Sequence, residues 1–169
     1  AQEVEQGFIN ETNVILEYIE QTQPGPKLLP TDTFERAQVL ALAKEIELYI
    51  ELPARACYAE AFFGMQVPDA IKSKAKAELL QGIASLGRQG KFAPYVAGET
   101  LSVADIYFLY SVSLASAVGH KVFGMDLLAE LPAAKALLEH FEKNPHVQRI
   151  AADREAAMPK FLAWISSKK

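Results

Sequence analysis

The sequence predicts a mainly α-helical chain, an all-helical domain preceded by a β-hairpin and one short helix. Three features point there. From Thr31 onward apolar residues recur at helical spacing through two long stretches. Pro24-Gly25-Pro26-Lys27-Leu28-Leu29-Pro30 cannot be regular helix, so it separates those stretches from a short N-terminal piece. Leu101-Ser102-Val103-Ala104-Asp105-Ile106 opens a helix that is apolar nearly all round and carries its own cap.

Taken in order, Glu3 to Asn10 reads as two strand-like pieces around a turn containing Gly7, a hairpin. A lone hairpin is marginal in water and calls for more sheet. Glu11-Thr12 then head a short apolar helix to about Gln21. Asp32 or Thr33 can cap a long helix from about Phe34 to Phe63, with Val39, Ala43, Ile46, Ile50 and Cys57 on its buried face and a kink at Pro53. A second long helix is expected from Asp69 to Arg88, with Ile71, Ala75, Leu79, Ile83 and Leu86 on one stripe. Gln89 to Thr100 is a loop.

Ser102 and Asp105 form a capping box, in which each residue satisfies a backbone donor near the other. Losing the Asp105 side chain should cost on the order of 1 kcal/mol or more. Further helices are expected at Asp126 to Ala129, Pro132 to Lys143 and Pro145 to Glu155, then a last one carrying Phe161, Leu162, Trp164 and Ile165. Trp164 reads as a core anchor, with a pocket lid as the alternative. The closing Lys168-Lys169 reads as a polar tail. Tyr107 and Tyr110 read as core residues with satisfied hydroxyls.

Composition excludes several functions. There are 17 Lys+Arg against 21 Asp+Glu and no basic run, which argues against nucleic acid and anionic membrane as partners. One cysteine, Cys57, rules out an intrachain disulfide framework and a multi-cysteine metal site; it reads as a buried inert thiol. His120, His140 and His146 lack metal-ligand spacing, so no metal site is expected. The first residues are polar and acidic and show no signal peptide, which makes a reducing cytoplasm the expected compartment.

Glu11-Thr12 pairs an acid with a hydroxyl at a helix start. Helix N-termini offer unpaired N–H donors and partial positive charge to a carboxylate, and Glu11 could hold a neighbouring ammonium. The plain alternative is a capped helix. In the long helix, Glu47, Glu51, Arg55 and Tyr58 share one face. That face can be simply solvated, with a Glu51–Arg55 ion pair worth a few tenths of a kcal/mol, roughly. It can equally border a cleft, with Tyr49, Leu52 and Phe62 as apolar wall.

Glu11-Thr12 with its helix, Leu28-Leu29-Pro30, Phe34-Glu35-Arg36-Ala37, Gly98 to Ile106 and Asn144-Pro145-His146-Val147 together resemble the glutathione transferase superfamily, of the cytosolic type. Thr12 stands where that family usually has Ser. The resemblance implies a remnant of a thioredoxin-like domain over residues 1–22, a linker over 23–33 and the α-helical C-terminal domain over 34–169. It implies a homodimer that attaches the glutathione thiolate to a hydrophobic electrophile. Glu11 and Thr12 would hold the γ-glutamyl group of glutathione. Arg55, Tyr58 and Glu47 would meet the substrate, with Glu47 reaching across a dimer interface. The thiol-activating Ser, Cys or Tyr is expected upstream of Ala1, so no catalytic residue is assigned within the chain. Alternatives under the same resemblance are a glutathione-dependent thiol/disulfide reductase and a non-catalytic interaction module.

Overall fold

A computed structural model of the chain describes residues 1–167. β1 (Gln2–Val4) and β2 (Gly7–Ile9) pair antiparallel, with Val4 opposite Gly7 and a two-residue turn between them. α1 (Thr12–Thr22) follows directly. The linker is tied down near its far end, at Leu28 and Leu29. The Glu20 carboxylate accepts the N–H groups of Leu28 and Leu29 at 3.1 Å, and the Leu28 carbonyl accepts the Val103 N–H at 3.0 Å. Linker donors that no helix could satisfy are thereby paired.

α2 (Thr33–Ile46) is capped by Asp32, whose carboxylate accepts from the N–H groups of Phe34 and Glu35. The predicted single kinked helix is in fact four pieces: α2, a π-helical turn Glu47–Glu51, α3 (Leu52–Arg55) and α4 (Tyr58–Phe63). Pro53 explains the π turn. It has no N–H for the Tyr49 carbonyl that an α-helix would pair, and the chain widens just before it, with the Leu52 N–H reaching back to Glu47. The Tyr49 carbonyl lies against Gly82 of α5 (Asp69–Gln89), where an added Cβ would stand 2.1 Å from that oxygen. A side chain at position 82 would force the two helices apart.

α6 (Val103–Tyr107), a second π turn Phe108–Val112 and α7 (Ser113–Phe123) run through the middle of the molecule. Phe108, Val112, Ala115 and Val118 are fully buried, packed among Ile46, Ile50 and Cys57 of the first long segment and Leu79 of α5. The capping box is present, and Asp105 does more than the box requires. One carboxylate oxygen accepts the Ser102 N–H at 2.8 Å and the Ser102 hydroxyl at 2.9 Å, while the other accepts the Val96 N–H at 2.8 Å. One buried acid therefore fixes both the helix start and the loop before it. Burial pushes its pKa up, and these hydrogen bonds hold it partly back.

The C-terminal part departs from expectation in three ways. Residues 127–130 form a turn in place of the helix expected over 126–129, with the Leu128 N–H on the Asp126 carboxylate at 2.9 Å. After α8 (Pro132–Glu142), the two expected helices are one, α9 (Pro145–Ser166), which runs through Pro159. Its surroundings are exposed, so water can serve the carbonyl that Pro159 leaves without a donor. Trp164 is not a core anchor: it is 58% exposed and stacks on Phe161, whose ring reaches Phe63 at the end of α4. Lys168 and Lys169 lie outside the described residues. Among the described residues no helix is long and apolar enough to cross a membrane.

Candidate functional site

α1 begins abruptly. Glu11 has φ 67° and ψ 127°, a backbone conformation that a side chain disfavours. Its carbonyl already accepts the Ile15 N–H at 3.0 Å, but no side chain caps the helix. The first-turn N–H groups are thus available, and Glu11 and Thr12 are both exposed beside them. An ion pair from Glu17 to Arg36 holds α1 against α2.

The face of the first long segment that carries Glu47, Glu51, Arg55 and Tyr58 packs toward α6 and the π turn after it. The ion pair between Arg55 and Glu51 is present. The Lys44 ammonium meets the Glu47 carboxylate at 2.6 Å. The face is more than solvated surface, however. The buried Ser111 hydroxyl donates to the other oxygen of Glu51 at 2.7 Å. The hydroxyls of Tyr58 and Tyr107 are buried with no hydrogen-bond partner. Burial, then the Glu51 charge, pushes the Tyr58 phenol up to about 12, with Arg55 pulling the other way. Tyr107 is likewise pushed up to about 12 by burial, then by the charges of Glu47, Glu51 and Glu11. Both phenols are neutral at physiological pH.

Tyr107 lies between α1 and the first long helical segment. It feels Glu11 at the start of α1 as well as Glu47 and Glu51 on the opposite helix. It also lines a cavity of about 180 Å³ with Asn13 of α1 and Lys44 of α2. Sequence reasoning placed Tyr107 in the core with a satisfied hydroxyl; the core placement holds and the satisfaction does not. Tyr110 is 38% exposed and is not a core residue. A usable signal existed. Tyr107 and Ser111 are polar residues four apart on one helix, so they share a face.

Tyr49 and Leu52 do not wall this site. They turn the other way and line a groove of about 880 Å³ between the π turn and α5, with Leu48, Ala56, Ile71 and Lys74. Phe62 does lie near, its ring edge-on to Tyr58 at 5.3 Å. Cys57 is buried, and burial pushes its thiol up, which suits an inert packing role. No group of carboxylates, histidines and cysteine among the described residues is arranged to hold a metal ion.

Residues 69–154 match the family described as "Glutathione S-transferase, C-terminal domain". A glutathione S-transferase of Pseudomonas putida is 62% identical over 167 residues, covering 99% of this chain and 76% of that protein. Among solved structures, Gtt2 from Saccharomyces cerevisiae superposes with a TM-score of 0.69 at 22% identity, over 88% of this chain and 72% of that one. A glutathione S-transferase of class Gtt2 from Vibrio parahaemolyticus gives 0.67 at 20% identity, over 87% and 68%. These two likenesses speak for the fold, while the identity to the Pseudomonas putida protein speaks for kinship. The family match and that identity establish that the chain belongs to the glutathione S-transferase family.

Proposed function

We propose that this chain serves a glutathione transferase that joins the glutathione thiolate to a hydrophobic electrophile. One observation carries the site: Glu11 sits in a disfavoured backbone conformation at the head of a helix that no side chain caps. Such conformations cost on the order of 1–3 kcal/mol and gather at functional sites. Here an acid stands next to first-turn N–H groups that no side chain caps. The α-carboxylate of the γ-glutamyl group would take the N–H groups and the Thr12 hydroxyl, and Glu11 would take the ammonium. The 62% identity to a protein named glutathione S-transferase supports the same activity.

In this reading the chain's own residues position the reactants. Glutathione is held by Glu11 and Thr12, as co-substrate. Arg55, Tyr58 and Glu47 face the electrophile, with residues 34–169 as the helical domain beyond the 23–33 linker. The thiol-activating role is assigned to none of the described residues. Burial of the site would strengthen each polar contact by lowering the local dielectric. A homodimer in the cytoplasm belongs to the same proposal. The exposed apolar residues Leu48, Tyr49, Leu52 and Ile71 around the larger groove support pairing of two copies.

The decisive experiment is retention on immobilised glutathione, followed by calorimetric titration. Glu11→Ala should weaken binding more than about tenfold, as expected for loss of a charge-assisted contact. Wild-type affinity in that variant would overturn the assignment.

A further inference from the structure

An exposed arginine ordinarily samples many rotamers. Arg55 is held instead. Its side chain is 63% exposed, yet its guanidinium is paired with Glu51, one turn earlier and only 21% exposed. Glu51 is held in turn. Its other oxygen accepts the hydroxyl of Ser111 at 2.7 Å, from the neighbouring helix and 60 positions further along the chain. Ser111 is itself buried. A buried hydroxyl thus fixes a half-buried acid, and the acid fixes an open guanidinium. A surface ion pair one helical turn apart adds little to stability. The consequence of the relay is where it leaves the guanidinium.

Two physical arguments select what that group receives. One terminal nitrogen of Arg55 is engaged by Glu51, and the donors on its other nitrogens are left on the open side. Two coplanar N–H groups match the two oxygens of a carboxylate and make parallel hydrogen bonds to it. Because Glu51 offsets the arginine's charge, selection rests on this fork geometry and not on net charge. The second argument is the wall beside it. The side chains that follow along the segment are aromatic: Tyr58 lies edge-on to Phe62 at 5.3 Å, and Phe62 edge-on to Phe63 at 6.5 Å. A ligand laid along this face meets rings and a fixed guanidinium together.

We infer that the electrophile's site favours an aromatic electrophile bearing a carboxylate, which Arg55 receives, and that Ser111 is a positioning residue acting on Arg55 through Glu51. This inference rests on the transferase reading proposed above and narrows its substrate from a hydrophobic electrophile to an aryl carboxylate. It also gives the central helix a part in ligand selection besides packing.

The test is calorimetric titration of the full chain with three ligands: glutathione, S-(dinitrophenyl)glutathione, and the same conjugate with a carboxylate on the ring opposite the sulfur. Wild type should bind the carboxylate conjugate about fivefold more tightly than the plain one, as expected for a partly exposed charged pair. Arg55→Gln should abolish that preference while keeping glutathione and the plain conjugate within about twofold of wild type. Ser111→Ala should cut the preference to about twofold with the plain conjugate unchanged, and Ser111→Thr, which keeps the hydroxyl, should restore it. No preference in wild type, a preference that survives Arg55→Gln, or equal loss on all three ligands overturns the inference; the last means that Arg55 is structural or takes a carboxylate of glutathione itself. A preference unchanged in Ser111→Ala overturns the positioning role. Should Ser111→Ala fail to fold, Ser111 is structural and its role also falls, while the exposed Arg55→Gln change still decides the substrate class. Wild type that binds none of the three ligands overturns the transferase reading too; glutathione bound without discrimination between the conjugates overturns this inference alone.

Discussion

Asp105 and Tyr107 are two residues apart on one helix, both are buried, and they are treated in opposite ways. Asp105, 1% exposed, has both carboxylate oxygens occupied by donors from Val96 and Ser102. Tyr107 has none for its hydroxyl. Leaving a buried polar atom unpaired costs about 1–3 kcal/mol, so the fold completes such bonds wherever stability alone is at stake. The contrast separates scaffold from site. Where every polar atom is satisfied within the chain, its work is folding. Where one is left open, as at Tyr58, Tyr107 and Ser116, packing within the chain has supplied no partner.

Removing the satisfied acid should have the largest effect. Asp105→Ala strands the N–H groups of Val96 and Ser102 in the interior and should cost about 3 kcal/mol, measurable by urea unfolding. Asp105→Asn should also destabilise, because one oxygen becomes an amide donor facing groups that themselves donate. The pH dependence has a definite sign. Burial raises the folded-state pKa of Asp105, so its own contribution to stability is full below the ordinary aspartate value and is lost as pH rises through the folded value. The penalty of Asp105→Ala should therefore grow as the solution is taken from neutral pH into the acid range. A penalty that shrinks there would contradict the assignment of burial as the dominant cause.

Gly82→Ala should come next, at about 2–3 kcal/mol, because the added methyl meets the Tyr49 carbonyl rather than a side chain that can swing away. The substitution would normally favour a helix by up to about 1 kcal/mol. A net stabilisation would show that α5 and the π turn can separate easily. Gly87→Ala is the control: its nearest neighbour is the Leu131 side chain, which can shift.

Most of the scaffold was legible because it follows local rules. The helical stripe Ala75, Leu79, Ile83, Leu86, the Asp32 cap and the Ser102–Asp105 box each depend on residues within a turn or two of one another, and each is present, although Ile71, expected at the head of the stripe, is exposed. The π turns were not legible, since they answer to Pro53 and to helix crossings that spacing does not encode. The continuous α9 was missed for a related reason: Pro159 breaks a helix only where its orphaned carbonyl has no water. Glu11, Thr12, Glu47, Arg55 and Tyr58 were picked out by residue type and spacing. Tyr107 was not, because an apolar sequence context makes a tyrosine look like packing, and only its hydroxyl's surroundings say otherwise.

Glu11→Gly probes the site in the opposite direction from Asp105→Ala. Glycine tolerates positive φ better than glutamate, so the variant should gain up to about 1 kcal/mol in chemical denaturation while losing glutathione binding. A gain in stability with loss of function marks strain kept for a purpose. If Glu11→Gly destabilises the protein instead, the acid contributes to folding and the strain argument fails.

The smallest expected effect makes the sharpest comparison. Tyr107→Phe removes one oxygen, keeps the ring among Val103, Phe108 and their neighbours, and breaks no hydrogen bond. Its stability should stay within about 0.5 kcal/mol of wild type or rise slightly, because an unpaired buried hydroxyl is replaced by apolar surface. Tyr58→Phe, the second orphan phenol, should behave the same way. Set beside the loss from Asp105→Ala, a near-zero result in urea unfolding shows that burial alone does not make a polar atom structural. A loss of 2 kcal/mol or so at Tyr107 would place the hydroxyl in the same class as Asp105, satisfied by an internal water, and the helix would be scaffold along its whole length.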